Sequence, residues 1–162
     1  FHLRASYNDE TALIVRQLTS LGLNDIAVFH QNDAYGKAGL DGVTLAMAAR
    51  NLKPKATATV ERNSVDVTKA VATIVAARPQ AVVQISAYAS CAAFIREARK
   101  AGYGGTFYNV SFVGTQALAD ELGKDGAGVV ISQVVPNPFS TARPITRDFL
   151  DAIERGGNKV QP

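Results

Sequence analysis

Residues 26–39 read IAVFHQNDAYGKAG, and the passage from an apolar run into a polar, glycine-bearing loop decides the fold class. Ile26-Ala27-Val28-Phe29 is uniformly apolar, too short for a helix, and lacks the alternation of a strand wetted on one face. Such a run is a strand buried on both sides, the habit of parallel sheets covered by helices. Residues 31–36 then supply the amides, acid, tyrosine and glycine of a loop, and residues 37–50 carry Leu40, Val43, Leu45 and Met47 as a helix.

The same unit repeats outward in both directions. Upstream, Asn8 and Asp9 can cap a helix bearing Leu13, Val15, Leu18 and Leu21 that stops at Gly22. Downstream, Pro54 precedes a β-branched strand at 56–60, and Asp66 can cap a helix with Val67, Val71, Ile74 and Val75 that ends before Pro79. A strand at 81–85 leads to a helix at 89–101 closed by Gly102, and a strand at 106–110 follows. Thr115 caps a short helix at 116–122, Gly123 to Gly128 read as a turn, and a last strand spans 128–135. Pro136, Pro138 and Pro144 make a stiff connector to a helix at 145–155. Alternating strands and helices with short loops predict an α/β fold, an open doubly wound parallel sheet with right-handed crossovers.

The bulk properties narrow the function classes. A chain of 162 residues buries one good core. The net charge of +3 is spread over scattered Lys and Arg, with no stripe that would mark a nucleic-acid partner. Arg96, Arg99 and Lys100 read as a solvated helix face, and Tyr103 and Tyr108 as cover for the sheet. Cys91 is the sole cysteine, expected to be buried on its helix, and His2 and His30 lack metal-ligand spacing. No apolar run approaches the ~20 residues that span a bilayer, so no membrane insertion is expected. The start, Phe1-His2-Leu3-Arg4, and the loop-like end, residues 156–162, are expected of a piece of a longer protein.

In doubly wound sheets ligands sit beyond the carboxyl ends of the strands. That rule selects residues 30–36, 61–64, 86–90 and 111–114. These loops offer hydroxyls, amides and aromatics, but no GxGxxG, no GxxxxGK[ST] and no GxSxG, and their only histidine is His30. No catalytic residue, cofactor or metal is assigned, and the chain is expected not to be an enzyme. Asp33 and Glu61 could form a carboxylate pair, although the Asn32-Asp33 stretch also suits local turn bonding.

Residues 26–39, together with 82–102 (VVQISAYASCAAFIREARKAG) and 107–114 (FYNVSFVG), closely resemble the branched-chain amino-acid-binding proteins of ABC transporters. These are periplasmic binding proteins of the type I fold, and the resemblance covers nearly the whole chain. It implies that residues 1–135 form the second ligand-binding lobe, 136–144 cross a hinge, and 145–162 belong to a first lobe not included. It also implies a periplasmic solute-binding component that hands a small ligand to a permease, monomeric when intact, with the isolated piece open to self-association. The helix at 145–155 would then lack its own lobe. A ligand-sensing domain of a receptor or regulator with the same fold is the alternative.

Residue by residue, the resemblance makes Tyr35 a ligand-contacting tyrosine. A second such tyrosine falls on Ala87, with Tyr88 one residue on. Ser111 stands where the amino-acid binders carry an acid for the ligand's ammonium group, and Phe112 beside it offers an apolar wall. Asp33, Glu61 or the other lobe would then supply the counter-charge, or the ligand is a carboxylate or aromatic acid in preference to leucine. A buried ammonium without a counter-charge costs several kcal/mol.

Overall fold

The computed structural model describes residues 4–158, which divide into two compact units between Ser132 and Gln133. The first is a five-stranded parallel sheet wrapped by helices. Its opening helix, α1 (Tyr7–Ser20), is capped by Ser6. The Ser6 Oγ accepts from the Asp9 N–H at 3.2 Å, and the Ser6 N–H donates to the Asp9 carboxylate at 3.0 Å. Asn8 and Asp9 therefore lie within the first turn, since the reciprocal Ser6–Asp9 box satisfies two orphan donors where an Asn8 cap would satisfy one. The buried stripe of α1 is Glu10, Thr11, Ile14, Val15 and Leu18, while the expected core residues Leu13 and Leu21 are exposed.

Strand β1 (Ile26–Gln31) is buried throughout and runs two residues beyond its apolar run, because His30 and Gln31 still pair with neighbouring strands. The following loop is thereby cut to Asn32 and Asp33, and α2 (Ala34–Ala48) begins at once. Next come β2 (Thr57–Val60), α3 (Thr68–Ala77), β3 (Ala81–Ile85), α4 (Tyr88–Lys100) and β4 (Thr106–Asn109). A single 3-10 turn, Ser111–Val113, leads into α5 (Thr115–Leu122). The glycine-rich stretch after it forms a second 3-10 turn, Gly123–Gly126, ahead of β5 (Val129–Ile131). The last strand is shorter than its apolar run suggests: it pairs with β4 alone, and the Ser132 N–H makes the last bond of that edge, to the Asn109 carbonyl at 2.9 Å.

The strands lie in the order β2-β1-β3-β4-β5, all parallel. Alternate residues of each strand feed opposite faces. Ile26, Val28, Val83 and Tyr108 pack beneath Ile14, Leu18, Val43 and Met47 of α1 and α2. Ala27, Phe29, Val82 and Phe107 meet α3, α4 and α5 on the other side. There Phe94 stacks on Phe29 with ring centroids 4.3 Å apart and takes the edge of Phe107. Tyr103 and Tyr108 are buried against the sheet as expected, and so is Cys91.

Two contacts are closer than side chains would allow. A Cβ on Gly36 would stand 1.9 Å from the Gln31 carbonyl oxygen, so only glycine lets α2 leave β1 this tightly. A Cβ on Gly42 would stand 2.5 Å from the Thr11 Oγ1, which brings α1 and α2 together with almost nothing between them. On α4, Arg96 and Arg99 are more than a wetted face. Arg96 pairs with Glu121 and Asp125, and Arg99 donates to the Asp125 and Ala127 carbonyls while lying 5.6 Å over the Phe107 ring. They tie α4 to the α5–β5 connection.

The second unit holds α6 (Pro144–Arg155), opened by a proline at its first position, where no N–H is needed. Thr146 secures that opening by donating its hydroxyl to the Arg143 carbonyl at 2.8 Å. No helix among the described residues is long and apolar enough to cross a membrane.

Candidate functional site

The chain winds from β1 outward to β2 and then returns to place β3 on the other side of β1, so the crossovers diverge between β1 and β3. A crevice opens at the carboxyl ends of strands where crossovers diverge in this way. The register aligns His30 with Ile85, Gln84 with Asn109, and Asn109 with Ile131, which brings Gln31, Ser86, Val110 and Ser132 to one edge. The loops expected to carry the site therefore share one end of the sheet.

Asp33 is the N-cap of α2. Its Oδ1 accepts the Gly36 N–H at 3.0 Å and its Oδ2 accepts from the Gln31 amide. The Gly36 N–H is the main cause holding this carboxyl below the usual aspartate range. Glu61 does not pair with it, because the Asn32 amide donates to Glu61 at 2.7 Å. Both acids are thus engaged locally.

Tyr35, in the first turn of α2, lies between two other rings. Its centroid is 5.4 Å from that of Tyr7 and 4.9 Å from that of Phe112. Its hydroxyl is buried without a hydrogen-bond partner among the described residues, and burial pushes its ionisation far up. Phe112 is 57% exposed and forms the outer surface of this aromatic step. Ala87 caps α4 in extended backbone, its carbonyl accepting from the Ser90 hydroxyl and the Cys91 N–H at 3.0 Å each. Tyr88 follows as the first residue of α4 and is 43% exposed.

Ser111 is the busiest residue of the group. Its N–H and its hydroxyl both donate to the Glu10 carboxylate, and its Oγ accepts from the Arg4 guanidinium at 2.7 Å. The Ser132 hydroxyl also donates to Glu10. Glu10 is only 3% exposed, yet its carboxylate lies at the tips of β4 and β5. Arg4 in turn lies 5.9 Å from the centre of the Phe112 ring.

Glu10, Arg4 and Ser132 escaped the sequence reading, which looked only at loops following strands. A signal for Glu10 was present: it stands four residues before Ile14 and eight before Leu18, on the buried stripe of α1. An acid on an apolar stripe requires a polar partner inside. No comparable pattern marks Arg4. Among the described residues no group of three or more His, Cys, Asp or Glu could hold a metal ion.

A Periplasmic binding protein family model matches residues 1–162. Among solved structures, the chain is similar to a possible leucine/isoleucine/valine-binding protein from Rhodopirellula baltica, at 32% identity and TM-score 0.89 over 98% of this chain and 45% of that one. It is also similar to a substrate-binding periplasmic protein from Ralstonia solanacearum, at 28% identity and TM-score 0.84 over 99% of this chain and 46% of that one. An extracellular ligand-binding receptor from Verminephrobacter eiseniae matches at 26% identity and TM-score 0.74, over 100% and 46%. The chain thus spans less than half the length of these solved relatives. No curated protein matches it. With a doubly wound lobe of this strand order and a family match along its whole length, the chain belongs to the periplasmic binding proteins, in their type I fold.

Proposed function

We propose that this chain is the second lobe of a solute-binding protein that captures a small polar ligand, an amino acid or related carboxylate, by closing two lobes around it. The observation that carries this reading is the group at the strand tips, where exposed Phe112 adjoins the polar cluster of Ser111, Glu10 and Arg4, and exposed Tyr88 opens the helix that follows β3. An aromatic wall beside a few directed polar groups orients a small molecule without breaking its bonds. Tyr35, Phe112, Ser111, Ala87 and Tyr88 form this lobe's half of the pocket, and Asp33 contributes by fixing the turn that presents Tyr35. Residues 136–144 cross the hinge and residues 145–162 belong to the first lobe. The first compact unit ending at Ser132 and the coverage of less than half of each solved relative support that division. The protein works in the periplasm and delivers its ligand to an ABC permease, in line with its family and with one similar structure described as a putative branched-chain amino acid ABC transporter.

Isothermal titration calorimetry of the full-length protein against amino acids and small carboxylates tests the reading. Saturable binding of one class, weakened by Phe112→Ala, is expected. Heats that stay at the dilution baseline for every compound would refute it.

A further inference from the structure

The hydrogen bonds around Ser111 decide which charge faces the ligand. Glu10 accepts from the Ser111 N–H, the Ser111 hydroxyl and the Ser132 hydroxyl, and the residue is 3% exposed. A carboxylate has about four acceptor positions, so three donors leave little for a ligand. Arg4 is the opposite case. It is exposed, spends one N–H on the Ser111 Oγ, and forms no ion pair among the described residues. A guanidinium has five donors in a planar fork that matches a carboxylate. Its carbon lies 5.9 Å from the centre of the exposed Phe112 ring, so the free cation and the aromatic wall adjoin.

We propose that Arg4 is the carboxylate-recognition residue of this lobe and that the preferred ligand is a carboxylate without an α-ammonium, with a flat apolar body that lies on Phe112. This assignment rests on the solute-binding reading above. An ammonium group would meet a guanidinium instead of an accessible acid and would be disfavoured. Glu10 is a positioning residue: by accepting the Ser111 hydroxyl's hydrogen bond it turns the Oγ lone pairs toward Arg4 and holds the fork beside the ring. The exposed cation and the buried acid are thus coupled through one hydroxyl.

The test titrates the full-length protein with benzoate, phenylpyruvate, L-phenylalanine and L-leucine. The wild type is expected to favour the first two, and Arg4→Gln to weaken them about ten- to a hundred-fold, the range for losing hydrogen bonds to a charged group. Glu10→Gln is expected to narrow the preference for phenylpyruvate over L-phenylalanine with the thermal midpoint of Arg4→Gln unchanged from wild type as the folding control. Ser111→Ala, which keeps the backbone donor and removes the relay, is expected to weaken the carboxylates as well. Tight L-leucine or L-phenylalanine binding that survives Arg4→Gln and is lost in Glu10→Gln would overturn the assignment, with Glu10 then the ammonium partner and the solute-binding reading intact. Failure of all four probes to bind would overturn the assignment alone, and the solute-binding reading would fall only if the wider series of amino acids and small carboxylates also stayed at baseline.

Discussion

Replacing Gly36 by alanine should destabilise the protein sharply, and the structure fixes the size of the effect. The new Cβ would stand 1.9 Å from the Gln31 carbonyl oxygen, about 1 Å inside any tolerable contact. Neither partner can retreat cheaply. The Gln31 carbonyl accepts the Asp33 N–H at 3.0 Å, and the next residue's N–H is bonded to Val60 at 2.8 Å. Overpacking of this kind costs about 1–3 kcal/mol. Displacing Gly36 also breaks the Asp33 cap, a further ~1 kcal/mol. The helix preference of alanine returns about 1 kcal/mol, so a net loss of about 1–3 kcal/mol is expected. In urea, with a mid-range slope of about 2 kcal/mol per molar, the midpoint should fall by about 0.5–1.5 M. Gly104→Ala is the control, since a Cβ there meets nothing within 4 Å. Equal midpoints for the two variants would refute the packing argument.

Other outcomes can be checked on the same protein. Phe94→Ala removes a ring stacked on Phe29 and touched by Phe107, and should cost about 3–5 kcal/mol in urea unfolding. Asp33 is held below the ordinary aspartate range, so its cap is at full strength above the unfolded value of about 3.9 and fades as pH falls through the lower folded value. Asp33→Asn should flatten the loss of stability in that acid window and leave the rest of the pH profile alone, as followed by thermal melts. Cys91 is fully buried and its thiol is pushed up by burial, so a disulfide reagent such as Ellman's should label it only as the protein unfolds. Arg99→Ala should lower the thermal midpoint through the freed Asp125 and Ala127 carbonyls, more than Lys100→Ala, whose partner Glu97 lies on the same helix surface.

The strand-and-helix alternation was legible because β1 and β3 open on the apolar runs at residues 26–29 and 81–83, each too short for a helix. Element ends were harder to place. His30 and Gln31 look like loop residues in isolation and become strand only because β2 and β3 supply partners, which is information from across the sheet. The cap of α1 is hard to choose for a related reason: Ser6, Asn8 and Asp9 are all good caps, and only the reciprocal bond to Asp9 selects Ser6. At the site, the loops after the strands could be found by topology, so Tyr35, Ser111 and Phe112 were in view. The charge environment of Ser111 and Phe112 was not, because it comes from Arg4 and Glu10, about a hundred residues earlier in the chain.

The close seam between α1 and α2 reaches further than helix packing. Because Gly42 has no side chain there, the turn carrying Thr11 sits deep, and Glu10 is delivered to Ser111 at bonding range. The helix behaves as an arm of fixed reach, whose length is governed at the elbow by a residue with no polar side chain and no view of the cargo. A bulkier residue at position 42 would push the two helices apart and leave the acid short of Ser111.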